Sequence, residues 1–83
     1  MKEFALEIRS PAKELFIGKV TSLRARALEG ELGILADHAA LATVLDKGEV
    51  RYLAVNGEQK ELMIKGGFLL VKNNQVQILV PEI

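Results

Sequence analysis

Phe4, Leu6 and Ile8 alternate with Ala5, Glu7 and Arg9, the period of two that a strand with one wet face requires, and Ser10-Pro11 ends the run with turn chemistry. A strand over residues 3–9 is expected. Leu15-Phe16-Ile17 is a short apolar run stopped by Gly18. From Leu23 the order Leu-Arg-Ala-Arg-Ala puts Leu23, Ala25 and Ala27 on one face and Arg24 and Arg26 on the other. Two further strands follow, the second longer. Asn56-Gly57 supplies the positive φ values of a tight turn between residues 50–55 and 58–64. Asn73-Asn74 does the same between residues 68–72 and 75–80, where Val76, Ile78 and Val80 face one way and Gln75 and Gln77 the other. Gly66-Gly67 lies between two strand-like runs, where glycine marks a bulge, a corner or the close approach of another backbone, and a change of sheet is expected there. Several short strands with frequent glycine turns predict an all-β fold, an antiparallel sandwich or flattened barrel.

One segment reads differently by pattern alone. Asp37 can N-cap a helix, Leu41, Val44 and Leu45 fall at helical spacing, Gly48 can serve as its stop, and four alanines at 36, 39, 40 and 42 add propensity. By these signals residues 38–46 form a helix.

Composition narrows the function. Eighty-three residues predict one domain spanning 1–83, too short for a two-lobed enzyme with a buried cleft. Hydrophobic residues at 49% and charged residues at 27% suit a folded core. Eleven basic residues balance eleven acidic ones, so no bulk charge draws the chain to nucleic acid or anionic lipid. The absence of cysteine removes disulfides, thiolate metal sites and cysteine nucleophiles, and a single histidine removes multi-histidine metal sites. No apolar run is long enough to span a membrane and the N-terminus lacks a signal-peptide core, which predicts a cytosolic protein.

Raw material for catalysis is sparse. His38 beside Asp37, with Asp46, Thr43 and Ser22 elsewhere, gives no spacing that sets nucleophile, base and orienting group together, and His38 is read as a loop or interface residue. Glu29 and Glu31 are a carboxylate pair two apart, but Gly30 and Gly33 beside them indicate an exposed turn and a contact surface. Lys19, Arg24 and Arg26 lack the interleaved aromatics of a nucleic-acid module, while Phe4, Phe16 and Phe68 sit in apolar strand patterns and are expected in the core. No phosphate-binding glycine loop is present. No catalytic residue, metal site or cofactor is expected.

Glu29-Gly30-Glu31-Leu32-Gly33-Ile34 followed by His38-Ala39, then Gly48-Glu49-Val50-Arg51, Gly66-Gly67-Phe68-Leu69-Leu70-Val71 and Val76-Gln77-Ile78-Leu79, resemble in order and spacing the N-terminal domain of the epsilon subunits of F-type ATP synthases. The resemblance covers essentially the whole chain. It implies a flattened sandwich of about ten short strands, with residues 36–46 as loop plus strand. In relatives this stretch usually reads PGHAPLL; here Ala36 and Ala40 stand at the proline positions and Asp37 at the glycine. It also implies a non-catalytic central-stalk subunit bound to gamma and to the membrane rotor ring (the c-ring), coupling proton or sodium translocation to ATP synthesis or hydrolysis. Such a subunit is peripheral, at the cytoplasmic face of a bacterial inner membrane or in a plastid stroma. By the same resemblance Glu29, Gly30, Glu31, Leu32 and Gly33 face the ring, while Ser10, His38 and Thr43 belong to the gamma side. The family's inhibitory C-terminal helical hairpin has no counterpart before Ile83, so coupling without that arm is expected. The alternative is a free-standing small β-sandwich that binds a ligand.

Overall fold

The computed structural model describes residues 2–81. Eight strands run through it: β1 (Phe4–Arg9), β2 (Glu14–Ala27), β3 (Gly30–Ile34), β4 (Leu41–Leu45), β5 (Gly48–Ala54), β6 (Gln59–Ile64), β7 (Gly67–Lys72) and β8 (Gln75–Leu79). They form one hydrogen-bonded path, β1-β8-β7-β4-β2-β5-β6, with β3 beside β2 and β1 also beside β2. The result is a sandwich. One layer holds the first half of β2 with β1, β8, β7 and β4; the other holds β3, the second half of β2, β5 and β6.

The strand β2 joins the layers. It pairs with β1 from Glu14 to Val20, with β5 from Val20 to Arg24 and with β3 from Leu23 to Ala27, and Ala27 also meets Leu45 of β4. The sequence suggested two strands here and about ten in all, whereas the described residues contain eight. Gly18 does not stop the strand. A Cβ on it would lie 3.1 Å from the Phe16 ring, so the glycine is the seat on which Phe16 rests, and that ring in turn meets Tyr52 at a centroid distance of 4.6 Å. A register shift between Val20 and Ser22 lets the strand bend from one layer into the other. One pairing also departs from the antiparallel expectation, since β1 and β8 run parallel.

Both expected hairpins form, β5–β6 around Asn56-Gly57 and β7–β8 around Asn73-Asn74. The chain changes layers at Gly66-Gly67, as expected of that pair. A Cβ on Gly67 would stand 2.5 Å from the Leu79 carbonyl oxygen, so only glycine admits this approach of β7 to β8. Residues 38–46 are loop and strand, with no helix. In β4, Leu41, Thr43 and Leu45 turn inward while Ala42 and Val44 face out, because pairing with β7 provides cross-strand partners that an isolated helix lacks.

The core is apolar throughout. Phe4, Leu6, Ile8, Val20, Leu23, Ile34, Leu45, Val50, Leu69, Val76, Ile78 and Val80 are all buried, and no polar or charged residue is buried among the described residues. Phe4 lies in this core and Phe16 packs against it, but Phe68 does not belong to it. In β7 the inward positions are Gly67, Leu69 and Val71, which leaves Phe68 half exposed on the outer face.

Candidate functional site

The two outer faces of the sandwich differ in chemistry. On the five-stranded layer, register aligns Val44 with Phe68, Phe68 with Leu79 and Leu79 with Arg9. The adjacent row runs Ala42, Leu70, Gln77, Glu7 and Ile17. Val44, Phe68, Leu70 and Leu79 are exposed neighbours, an apolar patch of the kind that marks an interaction surface, and Ile17, also exposed, lies beyond Gln77 and Glu7. An open hollow of about 700 Å³ lies beside it, over the second row, lined among others by Ala5, Glu7, Ile17, Ala42, Leu70 and Gln77. The polar members of the rows are tied down: Glu7 accepts hydrogen bonds from Gln77 Nε2 at 3.0 Å and Arg9 Nη1 at 2.9 Å. The Gln77 bond does most to hold the Glu7 carboxyl below its ordinary range; the cost of burial opposes it, and Arg9 adds to the lowering.

The four-stranded layer presents charge instead. Arg24 and Arg51 lie side by side across β2 and β5. Arg24 pairs with Glu31 at 2.9 Å, and Arg51 lies between Glu49 and Glu61. The Glu49 hydrogen bond and charge raise the Arg51 pKa above its ordinary value. Such exposed pairs add little stability; they keep two neighbouring cations compatible and the face wet.

The residues singled out by sequence fall into three places. Leu28 and Glu29 form the turn of the β2–β3 hairpin, while Gly30, Glu31, Leu32 and Gly33 belong to β3. The expected loop is therefore a hairpin tip with an edge strand, and Glu31 is held by Arg24 instead of forming an acid/base pair with Glu29. Thr43 joins this group: with Ala27, Glu29, Gly30, Glu31, Leu32 and Leu41 it lines a hollow of about 200 Å³ between β3 and β4. Ser10 lies at the other end of β1, where its Oγ accepts from the Lys13 amide at 3.2 Å and its own amide donates to the Lys13 carbonyl at 2.8 Å. His38 lies beside the β7–β8 turn, through its neighbour Asp37, which hydrogen-bonds Asn74. Ser10 and His38 thus flank opposite ends of the five-stranded layer, with Thr43 apart from both.

No catalytic grouping is assembled from these side chains. The Asp37 carboxylate holds Lys2 and Asn74, and those hydrogen bonds, Lys2 first, keep its pKa below the usual carboxylate range. His38 Nδ1 lies 2.8 Å from the Ala39 carbonyl, and Asp46 accepts from the Lys47 amide. Among the described residues no three His, Cys, Asp or Glu side chains cluster as a metal site would require. The outer apolar row itself was not singled out from sequence. Its signal was present in Phe68-Leu69-Leu70-Val71, because a strand apolar at consecutive positions is covered on both faces.

Fold and faces together define a small β-sandwich with one apolar outer face and one charged one. The chain belongs to the family described as ATP synthase, Delta/Epsilon chain, beta-sandwich domain, whose model matches residues 3–83. It is 42% identical over 79 residues to the ATP synthase epsilon chain of Dichelobacter nodosus, an alignment covering 95% of this chain and 55% of that one. A chain of the Euglena gracilis mitochondrial ATP synthase, in a cryo-EM structure of OSCP, F1 and c-ring, superposes with a TM-score of 0.90 at 26% identity, over 96% of this chain and 51% of that chain. A chain of the Tetrahymena thermophila mitochondrial ATP synthase, from a structure of central stalk and c-ring, shares the fold with a TM-score of 0.78 at 22% identity, over 94% and 63%. The sequence spans about half the length of the curated relative it matches.

Proposed function

We propose that this domain is the sandwich of a central-stalk subunit in an F-type ATP synthase, binding gamma and the c-ring and coupling proton or sodium translocation to ATP synthesis or hydrolysis. The observation that carries the reading is the contrast between the apolar outer face of β4, β7, β8 and β1 and the salt-bridged face opposite. An exposed apolar face centred on Phe68 suits a permanent partner, which here is gamma, with Ser10 and His38 at its two ends. The β2–β3 hairpin, from Glu29 to Gly33, is the polar projection offered to the ring, and Thr43 goes with that hairpin. Coupling asks for stiffness, and close-packed cores transmit load instead of absorbing it; the domain performs no reaction of its own. Its place is peripheral, on the cytoplasmic face of a bacterial inner membrane, and no helix of the described residues is long and apolar enough to cross one.

The test is co-elution of the purified chain with gamma from its own organism at low salt, as a one-to-one complex. Phe68→Asp is expected to abolish co-elution while the domain stays folded. A wild-type chain that elutes alone overturns the reading. The ligand-binding alternative calls for an enclosed apolar pocket with converging polar groups, whereas the hollow of about 700 Å³ lies open over a sheet face.

A further inference from the structure

We infer that Asp37, Asn74 and Lys2 form a clasp that holds the connection between β3 and β4 in a single conformation and so positions His38 for its partner. The partner half of this inference rests on the function proposed above. The connection, residues 35–40, carries the chain from one layer to the other with a single turn, closed by the His38 amide donating to the Leu35 carbonyl at 3.3 Å. At its centre Asp37 has φ of 67°, a left-handed conformation that glycine adopts freely and other residues need compensation to hold.

Three hydrogen bonds supply that compensation. The Asp37 amide donates to Asn74 Oδ1 at 2.6 Å, and Asn74 Nδ2 donates back to Asp37 Oδ1 at 3.0 Å. The second carboxylate oxygen, Oδ2, takes Lys2 Nζ at 2.8 Å. Each oxygen thus serves a different segment. Asn74 is anchored in its own right, because its carbonyl accepts the Ala5 amide at 3.0 Å. The connection therefore hangs from the β7–β8 turn and from the N-terminal segment, and the residue that follows the clasp is His38, with Nδ1 on the Ala39 carbonyl.

All three bonds lie in exposed positions. Exposed bonds of this kind add little to global stability, but they remove loop conformations that a partner would otherwise have to freeze on binding. Ordering and stability are thereby separable by experiment. Asp37→Gly keeps the left-handed backbone accessible and the amide bond to Asn74 but deletes both carboxylate bonds, whereas Asp37→Asn keeps an oxygen for Asn74 and loses the charge that holds Lys2.

The measurements are amide hydrogen exchange over residues 36–39 in the free chain, and the dissociation constant for gamma. Asp37→Gly is expected to speed exchange there by about tenfold or more, leave the melting midpoint within a few degrees, and weaken gamma binding by about five- to tenfold. Asp37→Asn should recover most of that binding. Unchanged exchange in Asp37→Gly overturns the clasp. Faster exchange with an unchanged dissociation constant overturns the positioning role, as does an Asp37→Asn variant as weak as the glycine one. A wild-type chain that does not hold gamma at all overturns the proposed function and with it the docking half, before any variant is compared; the exchange measurement still decides the clasp.

Discussion

Phe68 and Leu69 are consecutive residues of one strand with opposite fates, and their alanine variants separate docking from folding. Leu69 is fully buried, so Leu69→Ala removes a core side chain and leaves a cavity, at a cost of about 2–5 kcal/mol. Phe68 is 50% exposed and loses mainly its cross-strand contacts with Val44 and Leu79, each worth about 0.2–1 kcal/mol. Its total is therefore about 0.4–2 kcal/mol. For a domain of 83 residues, each kcal/mol moves the melting midpoint by about 6 °C. Phe68→Ala should melt roughly 2–12 °C below wild type, whereas Leu69→Ala should lose about 12–30 °C or fail to fold. Calorimetry and thermal circular dichroism measure this directly. Binding should invert the order of importance: Phe68→Ala, at the centre of the apolar row, is expected to weaken gamma association by about thirtyfold or more, as removal of a central aromatic anchor does. Equal melting losses for the two variants would mean that Phe68 packs inside and that the outer face has been misassigned.

Gly67→Ala forces a Cβ to within 2.5 Å of the Leu79 carbonyl oxygen; with backbone on the other side of the contact, the expected loss is about 1–3 kcal/mol, read as a lower denaturant midpoint, and an unchanged midpoint would contradict the β7–β8 geometry. Glu31→Lys breaks only an exposed pair with Arg24, so stability should stay within about 1 kcal/mol while rotor coupling weakens in reconstituted complexes; equal coupling would remove the hairpin from the ring contact. Glu7 and Asp37 both have carboxyl pKa values lowered by hydrogen bonds in the folded state. Their contribution is complete above the unfolded values of about 4 and is lost as pH falls through the lower folded values. The melting midpoint should be flat from neutrality to about pH 5 and fall below about pH 4, less steeply in a Glu7→Gln, Asp37→Asn double variant; an equally steep fall in that variant would show that these two carboxylates do not drive the acid transition.

Much of this fold can be read from alternation. Phe4, Leu6 and Ile8, then Leu23, Ala25 and Ala27, then Val76, Ile78 and Val80 all turn inward as their spacing requires. Local turn chemistry likewise identifies Asn56-Gly57 and Asn73-Asn74, because positive φ is a property of a few residues and needs no distant partner. What failed depended on tertiary contact. Gly18 reads as a stop until Phe16 is seen to lie over it, and Phe68 reads as core because an uninterrupted apolar run does not say which alternate set faces in. In β7 that choice is made by Gly67, whose approach to Leu79 fixes the register. The same limit applies to the candidate site: Thr43 is separated in sequence from Glu29 and Gly30, and only the return of β4 alongside Ala27 brings them together.

That return bears on how one small sandwich could carry load between the two partners proposed for it. Ala27 pairs with Gly30 on one side and Leu45 on the other, the Leu28 amide reaches the Val44 carbonyl at 3.3 Å, and the Asp46 amide reaches the Arg26 carbonyl at 2.8 Å. A load applied at Glu29 is therefore passed through Ala27 and Leu28 into β4, and from Val44 directly into the row shared with Phe68 and Leu79. Every link is a ladder hydrogen bond or a cross-strand neighbour, with no flexible connection between the hairpin tip and the apolar face. If the hairpin tip and the apolar face dock as proposed, they must move together, so replacing Leu28-Glu29 by a longer glycine turn should leave gamma binding intact and still loosen coupling. If coupling survived that insertion unchanged, the load would have to travel by another route.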